Sequence, residues 1–315
     1  MKFNVLTAKL PVLSAKLPVP RIITAVLSII IISGSVSQTL DAMGWPSEDG
    51  VLFRNFGSND SGKPVLGMIF TGGTDILAAE SGEVIFSRAK NDSASRLPSP
   101  FGAWTAIDHG DGLISIYSRY DDAQKFSGDG QVFRQQTIAV SGNSGWSAQN
   151  GFYFTLFDRR ERRWINPELI ITPRIETRPP QILSVSLKNA QGQIVQSNNL
   201  VQGRYTVIVN AAGGTSTVPG RSVQGASSTQ YAPQRILCSI NGAEVGSLNF
   251  ETVSARDGIL MVYRNGLFPA KQVYADSPAY EAAEVFLTRG QVTLEIIVQD
   301  INGNSRSTVS RLIVN

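Results

Sequence analysis

The sequence predicts a mostly β protein that consists of two domains. Short segments rich in β-branched and aromatic residues recur along the chain, separated by Gly, Asn, Asp and Ser, as strands are separated by turns. Clear examples are residues 83–86, 104–107, 113–117 and 152–156. A length of 315 residues fits two domains better than one. Hydrophobic residues make up 42% of the chain and charged residues 17%, which is typical of a globular protein with a buried core.

Residues 1–37 are predicted to be a signal peptide. Their basic stretch ends at Arg21, an apolar run follows over 22–32, and small residues at 35–37 offer a cleavage site. An uncleaved anchor is the alternative, but the apolar run is shorter than the ~20 residues that a spanning helix needs. In both cases the rest of the chain is expected to lie outside the cytoplasmic membrane, in the periplasm or cell envelope. If the signal peptide is cleaved, no membrane span is expected to remain.

The charge balance argues against nucleic acid as a partner. The whole chain has a formal charge of +3, but its first 37 residues hold four basic residues and no acidic ones. The remainder has 24 basic residues against 25 acidic ones, whereas phosphate binding needs an excess of positive charge.

The single cysteine, Cys238, excludes an intramolecular disulfide, and its strand-like surroundings predict a small buried apolar side chain.

A proline-rich stretch over 173–180 predicts a short stiff linker, since proline restricts the backbone and cannot donate to a strand ladder. Residues 181–315 then repeat strands and turns at the spacing of a β-sandwich. Asn241-Gly242 is a typical hairpin turn, and strands are predicted around 292–298 and 308–314. This part is similar in architecture to the immunoglobulin-like domains of bacterial surface proteins, a likeness that does not fix a function.

A series of short motifs runs through residues 45–172 in a fixed order. They are Trp45-Pro46, Phe56-Gly57, Thr71-Gly72-Gly73-Thr74-Asp75, Ser81-Gly82, Asp108-His109-Gly110, Tyr117-Ser118-Arg119-Tyr120, Ser141-Gly142-Asn143, Gly151-Phe152-Tyr153 and Trp164-Ile165-Asn166-Pro167. In order and spacing they resemble the LytM/lysostaphin family of zinc endopeptidases, which cleave peptide cross-links in bacterial cell walls. The resemblance implies the peptidase β-fold of that family, the duplicated hybrid motif, over residues 45–172.

The same resemblance implies that the zinc site has been lost. The His-x-x-x-Asp ligand pair of the family falls on Thr71 and Asp75, its His-x-His pair on Gly151 and Tyr153, and its remaining histidine on Arg119. Only Asp75 is retained. A catalytic zinc commonly has three protein ligands, and this chain contains one histidine and one cysteine in total. We therefore predict no metal, no other cofactor and no catalytic residues.

Two other features have ordinary structural interpretations. His109 lies in an Asp-His-Gly turn and is expected to bond nearby backbone rather than act in catalysis. The charge run over 158–163 is expected to be a solvated hairpin tip, and a contact with anionic wall polymers is the alternative.

Three functions remain open on these grounds. The first is a non-catalytic envelope protein that binds cell-wall peptide, or regulates a wall hydrolase, through the vestigial groove. The second is a structural or adhesive protein acting through loops at 90–100 and 211–230, and the third is an active metalloendopeptidase. The residues predicted to line the groove, with Arg119 and Asp75 forming an ion pair in place of the metal, are Thr71, Asp75, Trp104, Tyr117, Arg119, Gly151 and Tyr153.

Overall fold

The segments 83–86, 104–107, 113–117 and 152–156 all lie inside strands of the computed structural model, as predicted. The structure describes residues 42–73, 75–90, 99–123, 130–147, 149–173, 176–195, 199–213, 215–216, 231–274 and 279–315. The predicted signal peptide and parts of both predicted functional loops lie outside these ranges. Within them there is no α-helix, only two three-residue 3₁₀ helices, Pro167–Leu169 and Ala270–Gln272. No helix of the described part is long and apolar enough to cross a membrane.

The first half of the protein is built on one antiparallel sheet. Its strand order is β10-β6-β7-β8-β12, and the far side of β12 is shared by β4 and β13. A second, three-stranded sheet has the order β5-β11-β9. The strands are β1 (Val51–Arg54), β2 (Asn59–Asp60), β3 (Lys63–Pro64), β4 (Met68–Thr71), β5 (Asp75–Leu77), β6 (Gly82–Arg88), β7 (Ala103–Asp108), β8 (Leu113–Tyr120), β9 (Asp122–Ala123), β10 (Gln131–Val132), β11 (Thr137–Val140), β12 (Gly151–Asp158) and β13 (Arg163–Ile165).

The core of this half lies between the two sheets. Ile76 and Ile138 of the small sheet belong to the same buried cluster as Phe70, Phe152 and Phe154 of the large one. The rings of Phe70 and Phe152 stack at 4.7 Å between centroids. Because successive strand residues point to opposite faces, β12 buries one face in this core and turns its other face away from the core.

The second half consists of two sheets packed face to face. One has the order β16-β15-β18-β24, and the other contains β21-β20-β25-β26-β17, with β17 parallel to β26. The strands are β14 (Glu176–Arg178), β15 (Gln181–Asn189), β16 (Ile194–Val195), β17 (Asn199–Leu200), β18 (Gly203–Ala212), β19 (Thr215–Ser216), β20 (Arg235–Ile240), β21 (Ala243–Arg256), β22 (Ile259–Arg264), β23 (Leu267–Pro269), β24 (Ala279–Leu287), β25 (Gly290–Gln299) and β26 (Ser305–Val314).

Alternating residues of the facing strands fill one common core. From β18 and β25 respectively, these are Tyr205, Val207, Val209 and Ala211, and Val292, Leu294, Ile296 and Val298. Every second residue of these strands points into the core, which is the alternation predicted for the strands of a β-sandwich.

Cys238 is fully buried in the same core, as predicted, and burial raises the pKa of its thiol to about 12. Asn241 and Gly242 turn with φ of 50° and 81°, which confirms the predicted hairpin.

The two halves share a hydrogen-bonded sheet. Strand β13 pairs with β21, placing Trp164 opposite Val253, so the strand order continues from β12 through β13 and β21 to β20. The predicted linker at 173–180 contains the short strand β14, which pairs with β19. The sequence does not predict that a sheet crosses from one half to the other.

The loop between β1 and β2 is built into the second half. Phe56 is fully buried in the core formed by β18, β20, β24 and β25. Asn55 donates from Nδ2 to the Ala232 carbonyl at 3.0 Å and accepts the Ala232 N–H at its Oδ1 at 2.8 Å. The Tyr231 hydroxyl donates to the Leu52 carbonyl. The buried Phe56 side chain and the hydrogen bonds around it hold the two halves together. These polar groups are paired because a buried polar group without a partner costs free energy.

Candidate functional site

Four of the predicted groove residues lie on one face of the large sheet. Thr71 in β4 is opposite Gly151 in β12, and Tyr153 follows two residues later on the same face. Tyr153 is opposite Ser118 in β8, which in turn is opposite Trp104 in β7. We call this surface, defined by Thr71, Trp104, Ser118, Gly151 and Tyr153, the Tyr153 face. It is the side of β12 that turns away from the core of the first half.

Arg119 reaches the Tyr153 face through an unusual backbone conformation. Strand alternation alone would turn it to the face opposite Ser118, but its φ of 69° lies in the left-handed region and interrupts the alternation. Its N–H donates to the Phe101 carbonyl at 2.8 Å, which fixes the backbone there. The guanidinium carbon then lies 5.1 Å from the centroid of the Tyr153 ring, within the range of a cation–π contact.

One polar atom of the Arg119 side chain is buried without a hydrogen-bond partner in the described part of the chain. This atom is Nε, which is enclosed by the protein. The ion pairs of the described residues do not include Arg119. The predicted pairing of Arg119 with Asp75 is therefore wrong. The guanidinium of Arg119 instead contacts the aromatic ring of Tyr153.

Tyr153 is held by its hydroxyl as well as by its ring. Burial raises the pKa of the phenol to about 12, against the opposing effects of hydrogen bonds with the Thr155 side chain and the Leu66 backbone and of the Arg119 charge. The phenol therefore stays protonated near neutral pH. Tyr153 is partly buried, and the Arg119 guanidinium lies over its ring.

Asp75 belongs to the small sheet rather than to the Tyr153 face. It begins β5 opposite Val140 and is exposed. Between it and Thr71 the chain turns through Gly72 and Gly73, whose φ values of 64° and 78° favour glycine. The Ser141 hydroxyl donates to the Gly73 carbonyl and fixes this turn.

The prediction that Tyr117 lines the groove is wrong. Tyr117 is fully buried and lies opposite Phe154, whose side chain points into the core. Its hydroxyl accepts the Ala79 N–H at 2.8 Å. The side chain supports the sheet from behind and cannot reach a ligand on the other face.

An aromatic cluster at the edge of the Tyr153 face is not apparent from the sequence. The rings of Phe86 and Trp104 stack at 4.1 Å between centroids, and Phe101 lies 6.2 Å from Trp104. Phe86 is 44% exposed and Phe101 is 46% exposed, so solvent reaches the cluster. Phe86 lies next to the Val84–Phe86 bulge in the β6–β7 pairing, and a bulge cannot be placed from the strand pattern alone.

His109 and the charge run have the structural roles predicted for them. The His109 Nδ1 is 2.8 Å from the Ser81 carbonyl oxygen and its Nε2 is 2.7 Å from the Ser115 hydroxyl. The run over 158–163 forms the tip of the β12–β13 hairpin. Arg159 and Arg160 at this tip are paired with Asp108 and Asp111, at 3.4 Å and 2.6 Å.

The free energy of unfolding is expected to fall as the pH drops below about 6.5 because of His109. Burial lowers the pKa of this imidazole below its ordinary value of 6.5, outweighing the Ser81 hydrogen bond and the charges of Glu80 and Asp108. The unfolded chain then takes up a proton that the folded chain resists, so stability is present above pH 6.5 and is lost below it. Urea unfolding at pH 7.5 and 5.5 measures the effect. The His109→Gln variant should lose this part of the pH dependence, and an unchanged dependence would contradict the assignment.

The residues at this site do not fit the zinc ion of the LytM/lysostaphin family. Gly151 offers no ligand, and a Cβ placed on it would lie 1.9 Å from the Phe70 carbonyl oxygen, where no side chain fits. Tyr153 is a protonated phenol, and the Arg119 cation beside it opposes a second positive charge. Among the described residues, no three His, Cys, Asp or Glu side chains come together as metal ligands.

A family model matches most of the first half of the chain. Residues 67–167, about a third of the chain, match the model of peptidase family M23. A second family model, which has no description, matches residues 179–315. The chain therefore contains an M23 peptidase-type domain followed by a further domain, and both are mostly β. No curated protein matches the chain.

Several solved structures are similar to this chain. A variant of the catalytic domain of the prophage-encoded M23 protein EnpA from Enterococcus faecalis is 20% identical over 40% of this chain and 95% of its own, with a TM-score of 0.33. The SpoIIQ–SpoIIIAH pore-forming complex gives 18% identity over 42% and 92%, with a TM-score of 0.34. The antimicrobial peptidase lysostaphin from Staphylococcus simulans gives 14% over 82% and 88%, with a TM-score of 0.28.

Proposed function

We propose that this protein is a non-catalytic cell-envelope protein whose M23-type domain binds cell-wall peptide through the Tyr153 face, or through it regulates a wall hydrolase. The observation that carries the proposal is the exchange at the former metal position. Where the family places imidazoles around a metal, this chain places glycine at 151, tyrosine at 153 and an arginine cation at 119. Without a metal, nothing at this site activates water or polarises a peptide carbonyl.

The surface that remains has the composition of a recognition site. Tyr153, Trp104 and Arg119 are residue types that dominate the binding energy of protein interfaces. Phe86 and Phe101 extend the apolar surface beyond Trp104. A peptide lying across β7, β8 and β12 would meet these side chains in sequence.

Two further features bear on the location of the protein and on the role of its second half. The M23 match and the apolar N-terminal segment favour export to the envelope, where the wall is found. The strand order of the second half, with β17 parallel to β26 beside a four-stranded sheet, favours an immunoglobulin-like sandwich. Its attachment through β13 and β21 favours a role as a rigid support for the binding domain.

The Tyr153→Ala variant is expected to lose at least tenfold in affinity for wall peptide. Removing a central aromatic anchor from an interface commonly costs about 2 kcal/mol or more. The measurement is sedimentation with insoluble peptidoglycan, together with calorimetric titration of a soluble stem peptide. A parallel incubation with zinc and wall fragments should give no cleavage products and no stoichiometric metal by elemental analysis.

Tyr263→Ala is the matched control, because Tyr263 is 46% exposed on β22 of the second half. It should bind as the unsubstituted protein does. Equal binding by both variants would point to loops outside the Tyr153 face and favour the adhesive alternative. Stoichiometric zinc together with cleavage of wall peptide would restore the peptidase alternative.

A further inference from the structure

The guanidinium of Arg119 is an available positive charge on the Tyr153 face. It has five N–H donors in a planar fork that matches a carboxylate. It lies over the Tyr153 ring, with the guanidinium carbon 5.1 Å from the ring centroid. The enclosed Nε lacks an acceptor among the described residues, and an unsatisfied buried donor costs about 1–3 kcal/mol.

Neighbouring contacts hold this charge in position before any ligand arrives. The left-handed backbone at Arg119, closed by its N–H bond to Phe101, sets the direction of the side chain. The Tyr153 ring supports one side of the guanidinium, and the Tyr153 hydroxyl is itself fixed by Thr155 and Leu66. A donor group that is already oriented loses less entropy when it binds.

Local acidic groups are engaged elsewhere. Asp60, whose charge also acts on Tyr153, forms an ion pair with Arg54 at 3.8 Å. Asp121, close in sequence to Arg119, is bound by Lys90 at 2.7 Å, and this contact lowers its pKa. Among the described side chains, these two carboxylates are therefore bound by other cations, and neither forms an ion pair with Arg119.

We infer that Arg119 binds a carboxylate of the wall peptide, so that the anionic group of the ligand lies at the Arg119–Tyr153 pair and the rest of the peptide crosses toward Trp104. This inference rests on the proposed function and specifies the chemistry of its ligand. The pairing register of the strands supports a peptide path from Tyr153 toward Trp104, since Tyr153, Ser118 and Trp104 are successive cross-strand partners. Neighbouring strands lie about 4.8 Å apart, so Tyr153 and Trp104 are separated by about two strand spacings.

The test compares two ligands with three proteins, and a fourth protein, Arg119→Lys, tests the geometry of the bond. The ligands are a soluble peptidoglycan stem peptide with free carboxylates and the same peptide with those carboxylates amidated. The proteins are the unsubstituted chain, Arg119→Gln and Arg306→Gln, where Arg306 is an exposed arginine of β26. Both substitutions remove the same net charge, so the control accounts for long-range electrostatics.

Amidation is expected to weaken binding to the unsubstituted protein and to Arg306→Gln by about ten- to a hundredfold, as for a charge-assisted hydrogen bond. Arg119→Gln should bind the acidic peptide with that lower affinity and should not distinguish the two peptides. Arg119→Lys should recover only part of the loss, because an ammonium cannot form the two parallel bonds of a guanidinium.

The results separate this inference from the proposed function. If peptide binding depends on Tyr153 but Arg119→Gln still prefers the acidic peptide, the carboxylate assignment is wrong and the proposed function stands. If a polyphosphate chain binds in an Arg119-dependent manner and the peptide does not, the ligand class is wrong. If no wall peptide binds to the unsubstituted protein, the peptide-binding function fails together with the inference.

Discussion

Replacing Phe56 with alanine is expected to lower the free energy of unfolding by about 3–5 kcal/mol, the range for removing a buried aromatic side chain. Phe56 is fully buried, yet it comes from the first half of the chain and lies in the core of the second. The substitution would leave a cavity in the core of the second half and would release the loop of the first half that carries Phe56, so both halves should lose stability together. Urea unfolding followed by far- and near-ultraviolet circular dichroism measures the effect.

Phe133→Ala provides the comparison, because Phe133 is 70% exposed. It should change stability by no more than about 0.5 kcal/mol, as surface substitutions usually do. The substituted and unsubstituted proteins should each unfold in one cooperative transition. A loss of less than about 1 kcal/mol for Phe56→Ala, or two separate transitions in the unsubstituted protein, would contradict the description of the halves as one unit.

The Gly151→Ala variant is expected to lose about 3 kcal/mol of stability, at the upper end of the range for overpacked sites. A Cβ at this position would lie 1.9 Å from the Phe70 carbonyl oxygen and 3.1 Å from the Thr71 Cα. Both atoms belong to the backbone of β4, which pairs with β12 there, so neither can move without disturbing the sheet. A histidine at 151 would meet the same obstruction, so substituting the family's histidines into this chain should not rebuild a zinc site.

Gly203→Ala is a suitable control, since a Cβ at Gly203 meets no atom within 4 Å. That variant should be neutral or slightly more stable, because alanine restricts the unfolded chain more than glycine does. Chemical denaturation of both variants at one pH gives the difference. Equal stabilities would show that β4 and β12 can separate enough to accept a side chain at 151.

The sequence predicts the strands well and their mutual arrangement less well. Strand patterns such as that of 152–156 depend on local alternation, which a single sequence displays directly. The docking of Phe56 and the pairing of Trp164 with Val253 join residues far apart in the chain. Nothing in the local pattern identifies these partners.

The candidate site shows the same limit within a few residues. Tyr117 and Arg119 are two residues apart, so alternation assigns both to one face of β8. The left-handed φ of Arg119 separates them: Tyr117 stays in the core while Arg119 contacts Tyr153. Arginine rarely adopts this conformation, and the residue types around it give no sign of it. The motif order identifies the position of the site, but the backbone determines which side chains it presents.

The pairing of β13 with β21 also determines what a shortened protein would be like. A chain cut after Thr172 would keep every strand of the first half but leave β13 with one bare side, where the backbone groups of Arg163, Trp164 and Ile165 lose their partners in β21. Such an open edge invites pairing with other copies and aggregation. In the full chain the pairing with β21 covers this edge of β13.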